Sequence, residues 1–147
     1  MQRKSWVWAG LLIMILGLAA CGGSDQSTPA AGPGLERSQP PAEYAGKVNP
    51  LAGQADAAER GGQSYQVFCV SCHGEHGQGD GPISASLNPK PSNLAEAQAG
   101  LSDDYLYWRI AEGGLGAPFN STMPGWKGSL GEEQIWEMVT FLRTFGK

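Results

Sequence analysis

The chain has 147 residues, 41% of them hydrophobic and 16% charged, with 22 Gly, 10 Pro, 3 Cys and a formal net charge of -4. That length accommodates one ordinary domain and a tail, and it excludes a multidomain enzyme. An acidic balance with a pI of about 5.1 gives no electrostatic footprint for a phosphate backbone, so nucleic acid is not an expected partner.

Arg3 and Lys4 precede an apolar run from Trp6 to Ala20, closed by small residues and Cys21. This is the pattern of an export signal, and it is shorter than the roughly 20 apolar residues that a membrane span needs. Leu18-Ala19-Ala20-Cys21 resembles the lipobox of bacterial lipoproteins, which implies a signal peptide over 1–20 and acylation of the Cys21 thiol. Two or three acyl chains, at about 0.8 kcal/mol per buried CH₂, hold a small protein on a membrane. The expected location is the outer face of the bacterial cytoplasmic membrane. From Gly22 to Gly53 the composition turns to Gly, Pro, Ser, Ala and Gln, with no apolar period and nothing to bury. Residues 21–53 therefore read as the lipidated Cys and a flexible tether, and 54–147 as the folded domain.

Within that domain, Ala55 to Phe68 carries helix formers with Tyr65 and Phe68 on one side. Gly61-Gly62 weakens this helix by about 1 kcal/mol per Gly, which makes sense where another helix crosses closely. Glu75 to Leu101 has no sustained period and reads as a long loop region, the kind that wraps something. Ser102 N-caps a short helix from Asp103 to Glu112, stopped by Gly113-Gly114. Ser129-Leu130-Gly131-Glu132 has the form of a capping box, and Ile135, Met138, Val139, Leu142 and Phe145 follow at helical spacing. With no strand or hairpin signal, the expected fold is all-α, about four helices with long loops.

Cys69-Val70-Ser71-Cys72-His73 is the C-x-x-C-H pattern of covalent c-type haem attachment. On a helical turn, residues three apart share a side, so both thiols reach the two vinyl groups of one haem and His73 is carried to the iron. A zinc site would need four ligands and finds no second pair, a redox dithiol would need a βαβ setting, and a disulfide across three residues leaves His73 unexplained. A second axial ligand can come from Met14, Met123, Met138 or His76. Met14 leaves with the signal, Met138 sits at core spacing, and His76 is too near His73 to cross to the other haem face. Met123, in Ser121-Thr122-Met123-Pro124-Gly125-Trp126, lies in a non-helical loop far enough along the chain to come round the haem edge. His/Met ligation raises the reduction potential.

With these motifs in place, the chain resembles the class I cytochromes c, in the short monohaem branch similar to the cytochrome subunits of membrane respiratory complexes. The resemblance covers Gln54 to Lys147 and is carried by Gly62 with Tyr65, CVSCH with Gly74, Gly77 to Pro82, Pro89-Lys90-Pro91, Tyr105 to Gly113, Met123-Pro124-Gly125-Trp126, and Ile135-Trp136 with Phe141-Leu142-Arg143. It implies a cytochrome c-like fold around one covalent haem c, a Pro82 carbonyl accepting from His73 Nδ1, and a crossing of first and last helices at Gly62 against Trp136 or Phe141. Trp126 and Arg109 are expected to contact the haem, with Trp108 and Lys90 as further wall or propionate contacts.

The implied function is single-electron transfer without catalytic residues or a small-molecule substrate. The redox partners would be a quinol-oxidising complex, terminal oxidase, copper protein or photosynthetic reaction centre, served by a mobile carrier or a complex subunit. A haem-based ligand sensor or a small peroxidase-like enzyme with an open distal site is the alternative, and Met123 is the residue that separates the two.

Overall fold

The computed structural model describes residues 38–146. The expected signal peptide, Cys21 and the tether as far as residue 37 lie outside the described residues. Five α-helices, α1 (Ala55–Phe68), α2 (Val70–His73), α3 (Leu94–Ala97), α4 (Asp103–Glu112) and α5 (Glu132–Leu142), are joined by loops and two short 3-10 turns. Among the described residues every regular element is helical, in agreement with the all-α expectation. The two shortest helices fall where the sequence has no period to announce them.

α1 and α5 cross face to face. Ala57, Gly61 and Tyr65 are the buried residues of α1, spaced four apart so that they form one stripe. A Cβ at Gly61 would sit 2.0 Å from the Glu137 carbonyl oxygen, whereas one at Gly62 would meet the Phe141 ring at 3.1 Å. Gly61 is thus the position where the two backbones touch, and Gly62 accommodates the Phe141 ring. Trp136 turns away from this crossing to pack on Tyr107 of α4, with ring centroids 4.3 Å apart. Tyr65 lies between Phe141 and Phe145 at 5.2 and 5.5 Å, pairs that contribute about 0.5–1.5 kcal/mol each beyond their buried area.

α5 is buried on almost every side, including Glu137 and Thr140. The Glu137 carboxylate is held by Arg60 of α1, and Thr140 accepts from Asn49 Nδ2 at 3.0 Å. Ser129 and Leu130 both donate backbone N–H groups to the Trp126 carbonyl at 2.8 Å, so the expected capping box at Ser129 does not form. The cap moves two residues on, where Gln134 Oε1 accepts from the Gly131 N–H at 3.0 Å. α4 starts similarly: the Ser102 hydroxyl turns to Asp104, and Asp104 accepts from the Tyr105 N–H at 2.7 Å. Arg143, just past α5, ties the chain end to this region through Asp103 at 2.6 Å and the Leu101 carbonyl at 2.7 Å.

The segment 41–53, read from sequence as the end of the tether, is a strap on the domain. Tyr44 and Asn49 are buried, the Gly46 N–H donates to Asp104 at 2.7 Å, and the Tyr44 hydroxyl donates to Glu112. Its Pro, Gly and Ala content hides this role, because a handful of side chains and backbone groups make the attachments.

Candidate haem-binding site

The C-x-x-C-H residues form a single turn at the end of α1. Cys69 caps α1 and starts α2, and the His73 N–H donates to the Cys69 carbonyl at 2.9 Å. Both Cys69 and Cys72 are free thiols. Burial pushes the Cys69 thiol up to about 12. Among the described residues no three His, Cys, Asp or Glu side chains converge as a chelating group, so the zinc reading has no site.

The carbonyls left over at the end of α2 are taken up by the glycine-rich loop that follows. Gly79 donates its N–H to His73, Gly81 to Cys72 and Ile83 to Ser71, at 2.8, 3.2 and 3.1 Å. The approach is close enough that a Cβ at Gly81 would lie 2.4 Å from the Ser71 carbonyl oxygen. Gly74 adopts φ +79 and its carbonyl accepts from the buried Tyr65 hydroxyl at 2.8 Å, which pins the turn to α1 beside the histidine.

The His73 Nδ1 lies 3.2 Å from the Ser92 carbonyl. Donation there fixes the tautomer in which Nε2 is the free base. Burial also holds the imidazole below its ordinary pKa, favouring the neutral form that ligates a metal. The acceptor expected from sequence was Pro82, which is exposed here. The Gly77–Gly81 stretch is spent on capping α2, and the chain reaches the imidazole only with the Pro89–Ser92 segment. No sequence signal points to Ser92, because the bond uses its backbone oxygen.

Met123 is presented from the far end of α4. Gly113 leaves the helix at φ +70, where a Cβ would lie 2.3 Å from Pro124. Gly114 donates to the Met123 carbonyl at 2.8 Å, and Trp126 and Lys127 donate to Ile110 and Ala111 at 3.0 and 3.1 Å. This loop meets the cysteine turn through Trp126, whose ring centroid is 5.1 Å from that of Phe68, the residue before Cys69. Met138 is 1% exposed in α5, a packing residue, and His76 is exposed. Arg109, expected at a propionate, donates to the Gly113 carbonyl and lies over the Phe119 ring at 3.4 Å. Lys90 is exposed, and Trp108 is buried against Tyr105 and Phe119.

The donor set fits a haem c: two free thiols and a neutral imidazole on one turn, and a thioether on a separate loop. The apolar residues around them also fit. Phe68, Val70, Leu94, Leu101, Tyr105 and Trp126 pack against the core cluster yet are only partly buried, as expected of side chains that would complete their packing against an apolar macrocycle.

A first helix running into a C-x-x-C-H turn, crossed by a last helix, with a Met-Pro loop following the helix between them, defines a class I c-type cytochrome domain. Residues 56–142 match the family described as cytochrome c oxidase, cbb3-type, subunit III, and the chain belongs to that family. It is 28% identical over 105 residues to the cbb3-type cytochrome c oxidase subunit CcoP of Azospirillum brasilense, covering 71% of this chain and 34% of that protein. It is 26% identical over 158 residues to the subunit FixPc of Rhizobium leguminosarum bv. viciae, covering 99% of this chain and 51% of that one. The chain thus spans between about a third and a half of the length of these curated relatives. A chain of the Kuenenia stuttgartiensis reducing HAO-like protein complex Kustc0457/Kustc0458 shares the fold, with a TM-score of 0.57 and 22% identity over 67% of this chain and 47% of that one.

Proposed function

We propose that the chain holds one haem c through thioether bonds from Cys69 and Cys72, with His73 and Met123 as axial ligands, and passes single electrons between membrane redox partners. The observation that carries this is the meeting of the two ligand segments at Phe68 and Trp126, one bearing the anchored neutral imidazole and the other the thioether. Bound there, haem supplies a one-electron Fe(III)/Fe(II) couple. The protein's part is to set its ligands and its dielectric. Ser92 orients the His73 ring, Tyr65 pins the turn that carries it, and the soft, neutral Met123 thioether favours the reduced state and a higher potential. The Phe68 and Trp126 rings, packed on each other between the two ligand segments, would add an apolar wall there that disfavours the more charged oxidised site.

The relatives named as cbb3-type oxidase subunits support a respiratory complex, quinol-oxidising or terminal oxidase, as the partner, with this chain as a subunit or its attached carrier. The export signal and Cys21 support a lipid anchor holding the domain at the outer face of the cytoplasmic membrane. Three measurements test the assignment. The mass of the mature protein should exceed that of the polypeptide by one haem plus the Cys21 acyl groups. Cys21→Ser should release the haem protein into the soluble fraction. Replacement of both Cys69 and Cys72 by Ala should abolish covalent haem and lose the compact fold; a folded, haem-free double variant would overturn the assignment.

A further inference from the structure

One carboxylate outside the ligand set joins three segments distant in sequence. Glu112, the last residue of α4, accepts through Oε1 from the Tyr44 hydroxyl of the strap and from Lys127 Nζ at 2.6 Å. Lys127 directly follows Trp126 in the methionine loop. The backbone around Glu112 is pressed on that same loop, since a Cβ at Gly125 would lie within 2.9 Å of the Glu112 carbonyl group. The strap arm is itself anchored, by Asp104 on Gly46 and by Asn49 on Thr140. It lies outside the residues 56–142 that match the family. Tyr44 is 9% exposed, so its bond to the carboxylate is made in a sheltered setting, where a charge-assisted bond is roughly twice as strong as a neutral one. The Lys127 ammonium and the Tyr44 hydroxyl hold the Glu112 carboxyl below the ordinary carboxylate range, so both arms act on an ionised group at neutral pH.

We propose that Glu112 is a positioning residue for Met123: by clamping Lys127, and through Tyr44 the strap, it keeps the methionine loop closed on the end of α4 and restrains departure of the thioether from the iron. The inference rests on the reading of Met123 as the sixth ligand. Backbone bonds hold the base of the loop to Ile110, Ala111 and Gly114, while the Glu112 clamp closes the segment after Trp126. Opening needs both to give.

The test uses the full, haem-loaded chain in the ferric state and follows imidazole binding as loss of the red Met-to-iron band, because imidazole enters only when Met123 leaves. Glu112→Ala should raise the binding rate about fivefold, the loss of a charge-assisted bond pair at an edge. Glu112→Gln, which keeps an acceptor for Tyr44, should fall between, and Tyr44→Phe should raise the rate about twofold. Glu112→Ala combined with Tyr44→Phe should be no faster than Glu112→Ala alone. Amide exchange over residues 123–127 should rise in parallel. Arg60→Ala, which breaks the remote ion pair with Glu137, should lower stability and leave the imidazole rate unchanged. Wild-type rates in both Glu112 variants overturn the proposal, as does an equal acceleration in Arg60→Ala. A wild-type protein lacking the red band overturns the ligation reading and this proposal with it.

Discussion

A Cβ at Gly61 would lie 2.0 Å from one backbone atom of α5 and 2.9 Å from another, Glu137 O and Met138 N. Backbone cannot swing aside as a side chain can, so Gly61→Ala must push the two helices apart. The gain in helix propensity, about 1 kcal/mol, is outweighed by overpacking of about 3 kcal/mol. The expected result is a lower guanidinium midpoint in Gly61→Ala and a much smaller loss in Gly62→Ala, where the neighbour is the edge of a ring. Glu112 carries a pH signature. Its pKa is lowered by Lys127 and Tyr44, so its contribution to stability is complete above the ordinary carboxylate value and is lost as pH falls through the lowered one. Stability measured for Glu112→Gln should trail wild type at pH 7 and converge on it in acid, once pH has fallen through the lowered carboxyl pKa; a deficit that persists in acid would assign the loss to packing. The C-x-x-C-H residues could be read from sequence because covalent attachment fixes residue type and spacing together. Ser92 could not, since a carbonyl acceptor leaves no trace in residue identity, and the Pro82 expectation failed for the same reason.

At the level of elements, the helices with a clear apolar face, α1, α4 and α5, were legible, and α3 and the strap were not. α3 is four residues long, below the length at which a 3.6-residue period shows. The strap holds through Tyr44, Asn49 and a few backbone groups, and its composition matches that of a linker. Its removal gives a direct test of the domain boundary. A chain starting at residue 54 should melt about 10 °C or more below one starting at residue 38, since it loses the buried Tyr44 and leaves Thr140 without its Asn49 partner. Equal melting temperatures would place the boundary back at 54. The start of α5 illustrates a competition that sequence alone leaves open. Ser129 and Gln134 both belong to capping patterns, and the turn closed on the Trp126 carbonyl takes up Ser129 and leaves Gln134 to cap.

In the proposed assignment, the molecule as a whole closes two segments, far apart in the chain, around one haem. α1 and α5 cross to make the rigid base, α4 stands beside them, the α2 turn at the end of α1 carries His73, and the loop after α4 carries Met123. Partly buried aromatic and aliphatic side chains pack against the core cluster, and in the proposed assignment those two segments would close over the haem beside them. Family membership and the fold agree on a c-type cytochrome, and ligation at Met123 decides between an electron carrier and a haem protein with an open iron. The most direct measurement is the optical spectrum of the mature protein, ferric and dithionite-reduced, extended into the red and repeated under CO. The account predicts a c-type reduced spectrum unchanged by CO and a ferric Met-to-iron band that disappears in Met123→Ala. A CO-shifted spectrum without that band would contradict it and assign the domain to ligand sensing or peroxide chemistry.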